Sequence, residues 1–224
     1  MDNQQAQLSW RDGTIPVSTR FDDPYFSLEN GLEETKYVFL AGNELPARFR
    51  DGFEIGELGF GTGLNFLCAI KAWREAGAPG TMRFTTFEAF PMSNEDRRHA
   101  LAAFPEVAAE AEELCRAFET GAPLTFEGGV TLDLRLGDVR EELPRLSHKI
   151  DAWFLDGFSP AKNPEMWQED VMAGVAKALA PTGTIATYTA AGFVRAGLEK
   201  AGLEVTRLKG YGRKRHMTTA KHPQ

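Results

Sequence analysis

The sequence predicts an α/β fold, a doubly wound and mostly parallel seven-stranded sheet that ends in an antiparallel hairpin. Three observations carry this expectation. Strand and helix patterns alternate from about residue 50 onward, as βαβ units require. A glycine-rich turn, Gly59-Phe-Gly-Thr-Gly63, joins an apolar run to a helical pattern. The last two strands are linked by only Gly210-Tyr-Gly212, which permits a hairpin but not a parallel crossover.

The elements follow in order. The first core strand spans 53–58, an apolar run that closes on the acid Glu57. The helix after the turn spans 64–76, with Leu64, Leu67, Cys68 and Trp73 on one apolar face. A strand at 82–88 leads into a long connection, in which Pro105 separates helices at 93–103 and 105–119. The next strand, 130–136, precedes a helix at 138–146. Ile150-Asp-Ala-Trp-Phe-Leu155 is nearly all apolar, as suits a strand covered on both faces. A helix at 164–179, a strand at 183–189 and a helix at 191–201 follow. Strands at 203–209 and 213–220 close the chain.

Composition narrows the function classes. With 42% hydrophobic and 25% charged residues the 224-residue chain is globular, not disordered. No apolar run reaches the ~18 residues of a membrane helix, and Met1-Asp-Asn-Gln-Gln reads as no signal peptide, so a cytoplasmic location without a membrane partner is expected. Cys68 and Cys115 have no metal-ligand spacing and read as buried thiols of a reducing compartment. His99 and His148 read as surface residues, and no metal is expected. Net charge is −7, yet residues 205–224 hold Arg207, Lys209, Arg213, Lys214, Arg215 and Lys221 and no acid. That segment is either a phosphate-binding edge on an acidic body or a solvated hairpin.

The glycine turn selects the cofactor. Gly59, Gly61 and Gly63 give G-x-G-x-G; the dinucleotide fingerprint would need glycine where Leu64 stands. No P-loop pattern is present, and a carboxylate at Glu57 is ill suited to a pyrophosphate. A cationic ligand without phosphate fits better, which points to S-adenosylmethionine with its sulfonium and ammonium. Acids fall at four successive strand ends, Glu57, Glu88, Asp138 and Asp156, and would repel one another unless a ligand or hydrogen-bond donors use them. Glu88, 25 residues beyond Gly63, is placed for the ribose hydroxyls, Asp138 for the adenine amine and Glu57 for the methionine ammonium. Asn65, at the start of the helix after the turn, is counted with this cofactor-binding set.

Leu155-Asp-Gly-Phe-Ser-Pro-Ala-Lys-Asn-Pro-Glu-Met-Trp167 has the character of a reaction loop. A carboxylate at Asp156, where methyltransferases of planar amines carry [ND]-P-P-[YF], suits an aliphatic amine, which is protonated at neutral pH and must lose a proton before attack. Phe158 would stack a flipped-out base. The alternative is that Asp156 caps the turn and Phe158 fills the core. Lys162 either contacts phosphate or stands at a helix opened by Pro164.

These segments resemble one family. Phe21–Ser27, Gly31–Leu40, Gly42-Asn43, Glu57–Phe66 and above all Asp151–Trp167 are similar to the N-terminal methyltransferase domain of the bifunctional MnmC enzymes, which make 5-methylaminomethyl-2-thiouridine in tRNA. The resemblance runs from Gly13 to Thr219. It implies a class I, Rossmann-like, S-adenosylmethionine-dependent methyltransferase domain at 51–224, with residues 1–50 as an N-terminal extension packed on it as one structural unit. It implies methylation of the aminomethyl nitrogen of the wobble uridine, with the tRNA anticodon arm as partner. Asp156 matches the loop aspartate, and Gly59, Gly61, Gly63, Glu88 and Asp138 match cofactor positions; Tyr25 and Asn43 are expected as lid or cofactor contacts. Substrate contacts are expected from Phe158, Lys162, Arg213, Lys214 and Arg215. Because the chain ends at Gln224 without the family's flavin-dependent oxidase, the expectation is a stand-alone methyltransferase that holds no flavin and is served by a separate oxidase. Two other readings remain open: a methyltransferase or aminopropyltransferase of a small aliphatic amine, and a non-catalytic cofactor-binding partner of an oxidase.

Overall fold

The computed structural model describes residues 5–27, 30–121 and 123–223. Of the expected N-terminal extension, residues 1–4, 28 and 29 therefore lie outside the described residues.

The extension contains structure that the sequence did not announce. β1 (Leu8–Arg11), β2 (Ile15–Ser18) and β3 (Asp23–Pro24) form a small antiparallel sheet. Strands of four residues or fewer leave too little alternation to read. The chain then enters α1 (Gly31–Thr35), capped by Asn30, whose side chain accepts from Glu33 N at 3.0 Å. A π-helical segment, Lys36–Leu40, and a 3-10 turn, Ala41–Asn43, continue it.

The core alternates as expected: β4 (Phe53–Leu58), α2 (Leu64–Glu75), β5 (Met82–Glu88), α3 (Asn94–Leu101), α4 (Ala108–Thr120), β6 (Thr125–Phe126), β7 (Val130–Leu136), α5 (Val139–Glu142), β8 (Ile150–Leu155), α6 (Glu169–Ala178), β9 (Leu179–Thr187), α7 (Gly192–Lys200), β10 (Glu204–Lys209) and β11 (His216–Lys221). The large sheet has the order β10-β11-β9-β8-β4-β5-β7-β6. Its centre, β9-β8-β4-β5-β7, is parallel, and β11 runs antiparallel to both β9 and β10. Apolar layers cover both faces. Ile55, Phe66, Trp73, Phe84 and Phe154 pack on one, Leu58, Trp153, Leu155, Trp167 and Val171 on the other.

Four details depart from expectation. The sheet has eight strands, because the two-residue β6 pairs with β7 through Gly128 and Gly129, both at positive φ. Such a Gly-Gly pair between apolar residues is a hairpin signal. β9 begins at Leu179, not 183, and its register against β8 shifts between Ile150 and Ala152. Pro181 lies in that irregular stretch, where a missing N–H costs no ladder bond. The helix expected at 164–179 is a 3-10 turn, Pro164–Trp167, followed by α6. The hairpin link runs from Gly210 to Arg215, longer than the three residues expected.

Strand order reverses between β4 and β8, the topological switch point where ligands bind at the carboxyl ends of parallel strands. Among the described residues no helix is long and apolar enough to cross a membrane.

Candidate active site

The turn after β4 is held from three sides. Gly59, Gly61 and Gly63 take φ of +87°, +53° and +86°, the left-handed region that L side chains avoid. At Gly59 space matters as much as angle, since a Cβ there would lie 2.4 Å from the carbonyl oxygen of Asp156. The turn and the end of β8 thus meet backbone to backbone. Glu88, closing β5, accepts from Gly61 N at 2.9 Å and from Phe90 N at 2.8 Å. Burial raises its carboxyl above the ordinary range, and those backbone donors offset part of the rise. On the other side Arg97, buried on α3, donates to the Gly61 carbonyl at 3.0 Å and lies over the rings of Phe60 and Phe118. Burial lowers its guanidinium to about 10.

One amide ties the acids together. Asn65 Nδ2 donates to Glu57 Oε1 at 2.9 Å and to Asp156 Oδ2 at 2.7 Å, while Asn65 Oδ1 accepts from Thr35 Oγ1 at 2.8 Å. Thr86 Oγ1 donates to Glu57 Oε2 at 2.8 Å, so both oxygens of this fully buried carboxyl are engaged. Burial pushes Glu57 well above the ordinary range, and the nearby Asp156 and Glu88 push the same way. Asp156 is raised to about 7, chiefly by burial and further by Glu34, against the hydrogen bond from Asn65 and the charge of Lys214.

Asn65 and Asp156 border a cavity of about 880 Å³, within the range of small-molecule sites. Tyr25, Gly59, Gly61, Asn65, Glu88, Asp138, Asp156, Phe158, Lys162, Arg213 and Lys214 all line it, as the sequence led one to look for. Phe158 stacks on Phe21 at 4.8 Å and meets the Tyr25 ring edge-on at 5.0 Å, forming an aromatic wall. Burial raises the Tyr25 hydroxyl above its ordinary range. Asp138 caps α5 and grips Arg140, which lowers its carboxyl. Cys68 and Cys115 are buried and unpaired, and burial pushes Cys68 up to about 12.

Other expected residues are placed differently. Glu57 does not line the cavity; it sits beneath, behind Asn65, and cannot meet a methionine ammonium directly. Gly63 shapes the turn without facing the cavity. Asn43 is neither lid nor cofactor contact. It is buried away from the cavity, where its amide donates to the carbonyls of Phe39 at 3.0 Å and Trp153 at 3.2 Å and its oxygen accepts from Thr184 Oγ1 at 2.6 Å. Lys162 is drawn to Asp22 and Asp23, and Ser159 N donates to Asp23 Oδ2 at 2.8 Å, so the loop after β8 is strapped to the N-terminal sheet. Arg215 is exposed and does not line the cavity.

Sequence reasoning missed four residues. Glu34 and Thr35 lie within the Gly31–Leu40 segment singled out earlier, but nothing local marks them as cavity walls. Tyr188, whose hydroxyl donates to the Gly157 carbonyl at 2.7 Å, follows a strand with no motif. Arg97 precedes the exposed Arg98, and the sequence does not say which of the two turns inward. Among the described residues no group of three or more His, Cys, Asp or Glu is arranged to hold a metal ion.

A glycine turn at the switch point, acids at the strand ends and an antiparallel last strand define a nucleoside-binding transferase. Residues 105–223 match the S-adenosyl-L-methionine-dependent methyltransferase family, and the chain belongs to it, with S-adenosylmethionine as cofactor. It is 47% identical over 229 residues to the tRNA 5-methylaminomethyl-2-thiouridine biosynthesis bifunctional protein MnmC of Aeromonas hydrophila, a match covering 95% of this chain and 34% of that protein. Against the same-named protein of Ectopseudomonas mendocina identity is 49%, covering 96% and 35%. The chain thus spans about a third of the length of these relatives. It superposes on MnmC2 from Aquifex aeolicus with a TM-score of 0.77 at 25% identity, covering 99% of this chain and 72% of that one. Spermidine synthase from Thermotoga maritima, at 11% identity and a TM-score of 0.54, shares the fold alone.

Proposed function

We propose that this chain methylates the aminomethyl nitrogen of 5-aminomethyluridine, with or without 2-thiolation, at the wobble position of tRNA, and that Asp156 takes the amine's proton. The observation that carries this reading is Asp156 itself. It lines the cavity beside an aromatic wall, half-buried, held by a neutral amide and raised to about 7. The two MnmC relatives, whose names specify 5-methylaminomethyl-2-thiouridine in tRNA, support the substrate class.

The residues present fit the cofactor. The turn leaves no room for a Cβ at Gly59, and the acids around it are held by neutral donors, so that a cationic ligand would supply the charge that favours their ionised forms. Gly59 and Gly61 would offer backbone to the ligand and Glu88 would take the ribose hydroxyls, since each carboxylate oxygen keeps a second acceptor site beyond its backbone N–H. Asp138 would take the adenine amine, Tyr25 would cover the site, and Asn65 would border the amino-acid end, with Glu57 as the residue that positions it. When bound, S-adenosylmethionine supplies a methyl group on a positively charged sulfur.

The acceptor nitrogen must present a lone pair, yet an aliphatic ammonium has a pKa of about 10. Asn65 fixes Asp156 Oδ2 and leaves Oδ1 to attract that ammonium, receive its proton and release it to water. Phe158 and Phe21 present the face on which the uridine stacks, while Arg213 at the cavity mouth and Arg215 on the hairpin link meet phosphates of the anticodon arm. The reading of the N-terminal extension as one unit with the methyltransferase domain is supported, for the described residues, by the hold of Asp22 and Asp23 on the reaction loop. A flavin-dependent oxidase supplies the aminomethyl group, and the work takes place in the cytoplasm, where tRNA is modified.

Methyl incorporation into tRNA carrying 5-aminomethyluridine, followed by nucleoside mass spectrometry, tests this. The product expected is 5-methylaminomethyluridine. Turnover of free polyamines with no turnover of that tRNA would replace this reading with the small-amine one.

A further inference from the structure

Arg213, Lys214 and Arg215 look like one basic patch in sequence, but the fold separates them. Lys214 Nζ lies 2.7 Å from Glu34 Oε1 and 4.2 Å from the centre of the Tyr188 ring. Glu34 is only 8% exposed. Tyr188 is fixed through its hydroxyl on the Gly157 carbonyl. All three line the cavity that holds Asp156. A buried carboxylate beside an aromatic face is the chemistry of an alkylammonium site, and here one alkylammonium already sits in it.

We propose that Glu34 and the Tyr188 ring form the subsite that recognises the primary ammonium of the acceptor, and that Lys214 occupies it until the substrate displaces it. The proposal rests on the reading of this chain as an amine methyltransferase. A buried carboxylate stripped of its cation is disfavoured, so the subsite favours holding one. Exchange of one ammonium for another satisfies that need. Lys214 stands on the exposed link between β10 and β11, from which its charge can swing into water beside Arg213. The arrangement also divides the labour. Glu34 adjoins Thr35, which donates to the same Asn65 that holds Asp156, so the carboxylate that seats the ammonium and the one that takes its proton share a scaffold.

Methylammonium is the probe. Calorimetry on the whole chain should show Lys214→Met binding it roughly tenfold more tightly than wild type, and Glu34→Gln added to that variant should abolish the gain. With aminomethylated tRNA, Glu34→Gln alone should raise KM roughly tenfold while cofactor affinity, which also reports folding, stays at the wild-type value. Equal methylammonium affinity in wild type and Lys214→Met, or an unchanged KM in Glu34→Gln, overturns the proposal. If wild type transfers no methyl to this tRNA the functional reading fails, while the calorimetry still decides the subsite.

Discussion

The parallel strands β4 and β8 carry acids at both ends and β5 carries one at its carboxyl end, and the two ends of the sheet hold them differently. At the amino end, Asp151 pairs with Arg50 at 2.8 Å and accepts from Glu54 N at 3.0 Å. Glu54 faces Arg83 at 3.8 Å and His148 at 3.6 Å. At the carboxyl end, the direct partners of Glu57, Glu88 and Asp156 are an amide, a hydroxyl and backbone N–H groups. Arg97 donates there to the carbonyls of Gly61 and Met92. Arginines pair with the acids at the amino end; neutral donors fix the geometry of those at the carboxyl end and leave it to a cationic ligand to favour their charged forms. One end of the sheet is built for support and the other for binding.

The strongest test of that contrast is Asp156→Ala. Methyl transfer should fall by ~10²–10⁴-fold, the range for a lost general base, with cofactor affinity retained in equilibrium binding. Unchanged turnover would remove Asp156 from the chemistry. Next come two glycines that flank β4, both at positive φ. Gly59→Ala adds a backbone collision to its strain and should abolish cofactor binding or folding. Gly52→Ala, at +67° with nothing within 4 Å, should cost only the ~1–2 kcal/mol of a left-handed residue and leave turnover intact. Asp151→Ala should lower stability by ~1–3 kcal/mol in denaturant unfolding without changing the turnover of folded enzyme. A turnover loss there as deep as that of Asp156→Ala would erase the distinction between the ends.

A further effect is a slope with pH. Burial raises Asp156 from its unfolded value near 3.8 to about 7, so between those values the folded state binds a proton that the unfolded state has released. Its contribution to stability is therefore greatest at the acid side and is lost as pH rises from about 4 to about 7. Turnover should move the opposite way and rise through about pH 7 as the carboxylate forms. Asp156→Asn should flatten the stability decline and abolish the activity rise; a decline of wild-type steepness in that variant would assign the slope to other acids.

The sequence made the local features legible. An apolar run, three glycines and an apolar helix face fall within adjacent residues, and so do the residues of the loop after β8, so the turn and Asp156 could be read directly. Pairings across the chain could not. Asn65 meets Asp156 across 91 residues, and nothing near Asn65 announces that it serves two carboxylates. In the sequence Glu57 looks like a ligand contact because it is acidic near a strand end, but it stands one residue short of Leu58 and is covered by Asn65 and Thr86. Lys214 was grouped with Arg213 and Arg215 by adjacency, whereas the hairpin link turns its ammonium to Glu34. Asn43 lay in a segment similar to the family but serves the packing of β8 and β9.

The two peptide units flanking Gly61 are pinned in opposite directions, the N–H by Glu88 and the carbonyl by Arg97. Turning either over would break a hydrogen bond to an ionisable group, the half-buried Glu88 or the buried Arg97. The cradle is thus already in its receiving shape, so donor capture should resemble docking into a rigid mould, with association limited by diffusion rather than by any ordering of the turn.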